Sequence, residues 1–161
     1  MDIRQANKLI IPVGLSLLNG TYGTQEARLM LLAIGQQESG FQHRKQVHGP
    51  AVGWWQFELS AATEVLTQQS TKRLAIYCCN LLGYDPSGPS TLKAIEHNDL
   101  LATVFARLLL YRYPGQLPQI GEEERAWEQY IHQWRPGKPD RNRWTLSYRM
   151  ARNEIGAEQL P

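Results

Sequence analysis

The chain is poor in cysteine, long apolar runs and concentrated charge, and each shortage excludes a class of protein. Its only cysteines, Cys78 and Cys79, are adjacent. Neighbouring cysteines rarely bridge each other and lack zinc-site spacing, so neither a disulfide framework nor a metal centre is expected, and no cofactor motif is present. After Leu74-Ala75-Ile76-Tyr77 they read as reduced, small, buried hydrophobes. No apolar run approaches the roughly 20 residues of a membrane span. The short run Ile10, Ile11 and Val13 is broken by Pro12 and follows Asp2, Arg4 and Lys8, so no secretion signal is expected. The net charge is only +2, and no basic stretch carries interleaved aromatics, which argues against a nucleic-acid partner. Strict apolar/polar alternation is nearly absent, as are internal repeats and low-complexity segments. The 161 residues read as a single domain spanning 1–161, long enough to bury a sizeable core.

What the chain does contain is an acid in an unusual place. From Thr24, a good helix cap, the apolar residues Ala27, Met30, Leu31 and Ile34 recur at helical spacing, and Glu38 continues the stripe. Leu29, Leu32 and Ala33 make the helix apolar nearly all round. A carboxyl on the core side of such a helix loses solvation when charged, so its pKa should rise and leave a proton available for general-acid work. The alternative is a Glu paired with an Arg, or a frayed terminal residue before Gly40 as a stop.

The sequence then reads Glu38-Ser39-Gly40-Phe41, a loop, Gly53-Trp54-Trp55-Gln56-Phe57, and a later helix carrying Tyr130. In that order these segments resemble the lysozyme-like superfamily, specifically soluble lytic transglycosylases and goose-type lysozymes. The resemblance implies Glu38 as the acid and Ser39 as the neighbour that helps hold an N-acetyl sugar. It makes Gly53, Trp54, Trp55, Gln56 and Phe57 a segment lining the sugar groove, with two tryptophans where the family has Leu and Met. Flat indole faces suit sugar rings, and they equally suit a core. Gln56 carries an amide that needs partners among apolar neighbours. The third motif departs from the family's Tyr-Asn: here it is Trp127-Glu128-Gln129-Tyr130-Ile131-His132-Gln133-Trp134-Arg135-Pro136-Gly137. Tyr130 is the expected hydroxyl near Glu38, whereas aligning the Pro-Gly points to His132 or Trp134.

The resemblance further implies a mainly α, lysozyme-like domain that cleaves peptidoglycan between N-acetylmuramic acid and N-acetylglucosamine without metal or cofactor. A monomer is expected, with glycan strands as its partner and phage virion or lysis proteins as possible companions. A lysis system or a virion would deliver it to the wall. Hydrolysing glycosidases generally use two carboxylates. The nearest second one is Glu58, otherwise a solvated residue before a Ser60 cap. With Glu58 in play the activity is hydrolytic; with Glu38 alone it is transglycosylation. A non-catalytic wall-binding or structural virion component would keep the fold without the chemistry.

The remaining pattern predicts helices over about 3–18, 25–38, 60–69, 71–82, 91–97, 98–112 and 122–134, and a last one after Asp140. A small hairpin is the most β-structure expected, within 42–58. The last helix should bury Trp144, Tyr148, Ala151 and Ile155 and expose Arg141, Arg143, Arg149 and Arg152.

Overall fold

The computed structural model describes residues 1–157, and these form eight helices with no β-strand. Helix α1 runs Ile3–Gln5, widens through a π segment Ala6–Ile10, and resumes over Ile11–Ser16. Asp2 opens it with a capping box: its Oδ1 accepts from the Gln5 amide at 2.8 Å, and its own amide donates to the Gln5 side chain at 3.0 Å. Pro12 has no N–H for the Lys8 carbonyl, and the widened turn just before it accommodates the missing bond and the ring.

Helix α2, Gln25–Glu38, is the central element. The Thr24 hydroxyl caps it by accepting from the Ala27 amide at 3.2 Å. Residues 27, 29–35 and 37 are all buried, so the all-round apolar pattern reflects a helix enclosed on every side. Phe41 explains Gly35: the ring folds back onto α2, and an added Cβ at Gly35 would collide with it. The reversal is made by Gly40 and Phe41, both at positive φ (60° and 55°).

Around α2 stand α3 (Leu59–Thr67), α4 (Lys72–Leu81), α5 (Gly88–His97), α6 (Asp99–Tyr111), α7 (Glu123–Trp134) and α8 (Arg141–Ala157). The most extensive helix packing is α2 against α8, followed by α1 against α6. Helix α6 is buried from Leu101 to Leu110 and starts on Asn98, whose Oδ1 accepts from the amides of Leu100 and Leu101 at 3.1 and 3.0 Å. Trp144, Tyr148, Ala151 and Ile155 are buried on α8, as the spacing predicts. Both cysteines are buried thiols, and burial pushes the Cys78 thiol up to about 11.

Two sequence expectations change. Ser60 does not cap α3; Glu58 occupies the cap position without a side-chain hydrogen bond, and Ser60 lies inside the first turn. Helix α5 begins at Gly88 rather than near 91, because Pro89 is well suited to a first helical turn. The 42–58 loop stays within the expected limit of a small hairpin, and no strand develops there. Pairing is limited to isolated bridges, Lys45 with Val52 and Val52 with Phe57, since Gly53 and Gln56 at positive φ bend the chain too sharply to extend a ladder. No helix of the described residues is long and apolar enough to cross a membrane.

Candidate active site

Glu38 is the last residue of α2, with Ser39 as its C-cap. The carboxyl lines a cleft of about 640 Å³. One wall of that cleft comes from the loop and the start of α3, through Gln46, Ala51, Gln56, Phe57, Glu58 and Ser60. The other comes from the end of α7 and the turn beyond it, through Gln133, Trp134, Arg135 and Lys138.

The Tyr130 hydroxyl donates to Glu38 Oε1 at 2.6 Å. Tyr130 is buried and stacked on Trp144, with ring centroids 4.8 Å apart and planes 11° from parallel. That stack fixes the direction of the phenol. Burial raises the Glu38 carboxyl from its ordinary 4.5 to about 7, against the opposing pull of the Tyr130 hydrogen bond and the Arg143 charge. Tyr130 itself is pushed upward by burial and by the neighbouring carboxylate, so it remains a neutral donor. His132 and Trp134, the alternatives for this role, have other partners, although Trp134 lines the cleft. His132 is exposed and packs edge-on to Tyr113 at 5.1 Å, and Trp134 Nε1 donates to the Trp55 carbonyl at 2.8 Å.

The Gly-Trp-Trp-Gln-Phe segment divides between framework and cleft. Trp55 is fully buried and donates from Nε1 to the Leu31 carbonyl at 2.8 Å, fastening the loop to α2. Trp54 is buried beneath the Arg44 guanidinium, whose carbon lies 4.1 Å from the ring centroid. Arg44 in turn forms a two-pronged ion pair with Asp99 (2.5 and 2.8 Å), tying the loop to the start of α6. Both tryptophans are thus core residues, and neither lines the cleft. Gly53 adopts φ +73°, and a Cβ there would sit 2.9 Å from the Ile95 carbonyl oxygen. Gln56 and Phe57 do reach the cleft, although the Gln56 amide also donates to the Gly53 carbonyl at 2.9 Å.

Ser39 is 5 % exposed. Its hydroxyl donates to the Trp54 carbonyl at 2.7 Å and accepts from the Phe41 amide at 3.1 Å. It locks the segment after the acid to the Trp54 loop, which is a positioning role. Glu58 is exposed on the rim of the same cleft as Glu38.

Comparison with protein-family models, curated proteins and solved structures finds no match to this chain.

Sequence reasoning missed three parts of the site. Gln37 is buried beside the acid, its Nε2 donating to the Asp140 carbonyl and its Oε1 accepting from Ser147, each at 3.2 Å. These bonds hold the end of α2 against the start of α8. Arg143, read as part of a solvated face, donates to the Gln36 carbonyl at 3.4 Å and bears electrostatically on Glu38. Gln133, Arg135 and Lys138 line the cleft, although the third motif singles out none of them. Nothing local in the sequence signals these placements, because each depends on α2 meeting elements about a hundred residues away. Arg141, from the same expected face, is paired with Glu123 and Glu124 at 3.1 and 2.6 Å.

Proposed function

We propose that the protein cleaves peptidoglycan glycan strands as a lytic transglycosylase, with Glu38 acting first as general acid and then as base. The observation that carries this reading is the state of Glu38: a carboxyl facing a cleft, raised to about 7 and oriented by the Tyr130 hydroxyl at 2.6 Å. At pH 7 about half of the molecules then hold the proton that bond cleavage requires.

In this reading the Glu38 proton passes to the glycosidic oxygen between N-acetylmuramic acid and N-acetylglucosamine, and the bond from that oxygen to C1 breaks. The substrate's N-acetyl oxygen stabilises the positive charge left on C1. The Glu38 carboxylate then takes the proton from the C6 hydroxyl, whose oxygen bonds to C1 and closes a 1,6-anhydro ring. Glu38 ends protonated and ready for another turnover. A C6 hydroxyl already positioned on the same sugar competes at a very high effective concentration with a loosely held water. Access to the wall would come through a lysis system or a virion.

One observation favours a second reading. Glu58 lies on the same cleft and is the carboxylate available to activate water, which would make the enzyme a hydrolytic muramidase. The test of catalysis itself is release of soluble fragments from purified sacculi. The wild type should release them and a folded Glu38→Gln protein should not, since proton donation is worth about 10²–10⁴-fold. Equal release by both would refute Glu38 as the acid, and no release by either would refute the enzyme reading in favour of a binding or structural role.

A further inference from the structure

Arg107 is a buried cation that has no carboxylate partner among the described residues. It sits in the apolar middle of α6 and is 5 % exposed. Its Nε donates to the Tyr22 carbonyl at 2.9 Å, and its Nη1 has no hydrogen-bond partner among the described residues. The guanidinium carbon lies 5.1 Å from the Tyr22 ring centroid and 5.9 Å from that of Tyr111. Burial lowers its pKa, and the groups that act in the other direction are those two tyrosines, with no acid among them.

Taking a cation out of water costs several kcal/mol unless an opposite charge or a full set of acceptors replaces the lost solvation. Tyrosine faces and one carbonyl supply only part of that. Arg107 also lines a cavity of about 330 Å³, together with Thr24, Glu26, Tyr111, Gln116 and Gln119. Thr24 is the cap of α2, so the positive end of a 14-residue helix lies on the same cavity as the unpaired guanidinium. Two positive features converging on one open cavity favour an anion there. Glu26, in the first turn of α2, lies on the same cavity and opposes an anion, without forming an ion pair with Arg107.

We propose that this cavity is a binding site for a compact oxyanion, a phosphate or carboxylate group received by the Arg107 guanidinium at the positive end of α2. It shares no residue with the cleft that holds Glu38, and the proposal does not depend on the reading given to that cleft. A planar guanidinium pairs with either group through two parallel N–H bonds, and the doubly charged phosphate should bind more tightly than a monocarboxylate.

The test is an NMR titration of the whole protein with inorganic phosphate, and separately with acetate, at ionic strength held constant with chloride. The Arg107 Nε–H resonance and the Thr24 and Glu26 amides are followed. A single saturable site is expected, tighter for phosphate, with acetate competing. Tighter binding of acetate would assign the site to carboxylates rather than phosphates, still within the proposal. Arg107→Met should weaken phosphate binding about ten- to a hundredfold, the worth of hydrogen bonds to a charged group. Glu26→Gln keeps Arg107 and removes the opposing charge, so it should tighten binding severalfold; it decides the matter if Arg107→Met fails to fold. No saturable shift, unchanged binding in a folded Arg107→Met, or unchanged binding in Glu26→Gln would each overturn the proposal.

Discussion

Replacing Glu38 by Gln tests the physical state of the acid without any substrate. In the folded protein this carboxyl stands at about 7 rather than 4.5, chiefly through burial. Its folded pKa is raised, so the proton is bound more tightly folded than unfolded. The stability this contributes is complete below about pH 4.5 and is lost as the pH climbs through 7. At about 1.36 kcal/mol per pH unit of displacement, the loss between pH 4 and pH 8 is about 3 kcal/mol. Gln has nearly the same shape, keeps an oxygen to accept from Tyr130, and has no charge to lose. Unfolding free energies of both proteins from denaturant titrations at pH 4, 6 and 8 isolate the effect, since other titrating groups cancel in the difference. The Gln variant should gain on the wild type by about 3 kcal/mol across this range, mostly between pH 5 and 8. A difference that stays flat with pH would refute the claim that burial keeps Glu38 protonated.

Three further outcomes follow from the same geometry. Tyr130→Phe keeps the ring stacked on Trp144 but removes the donor to Glu38, so fragment release should fall about ten- to a hundredfold. Because that bond favours the charged carboxylate, its loss should also move the alkaline limb of the pH–rate profile to higher pH; an unmoved limb would deny Tyr130 its part in setting the acid. Gly53→Ala must force a side chain into φ +73° against the Ile95 carbonyl, and thermal unfolding should show a loss of about 1–3 kcal/mol. Glu58→Gln should leave the yield of soluble fragments mostly unchanged, and a collapse in yield would move the mechanism to two carboxylates.

The parts of this architecture that could be read in the sequence are those governed by local chemistry. The span of α2 follows from the Thr24 cap, an apolar run through Ile34 and the stop at Gly40, and the buried face of α8 follows from Trp144, Tyr148, Ala151 and Ile155 at helical spacing. Motif order points to Tyr130, and its hydroxyl does meet Glu38. The tryptophans were ambiguous because an indole face serves a sugar and a core equally well; the Leu31 carbonyl and the Arg44 guanidinium that claim them are unknowable before the chain folds. The serine hydroxyl at 39 has the same ambiguity, since its short side chain bonds whichever partner tertiary structure brings near, here the Trp54 carbonyl. Ser60 is a good capping residue in the wrong place, because the chain turns into α3 at Glu58. Arg143 and Gln37 act across the packing of α2 on α8, which no periodicity specifies.

The most direct test of the account is the mass of the fragments released from purified sacculi by the wild-type protein. A single acid at Glu38 that closes the ring on the substrate's own C6 hydroxyl predicts muropeptides with 1,6-anhydro-muramic ends, lighter by one water than hydrolysis products, and none from Glu38→Gln. Reducing muramic ends that disappear on Glu58→Gln, or no fragments at all from the wild type, would contradict it.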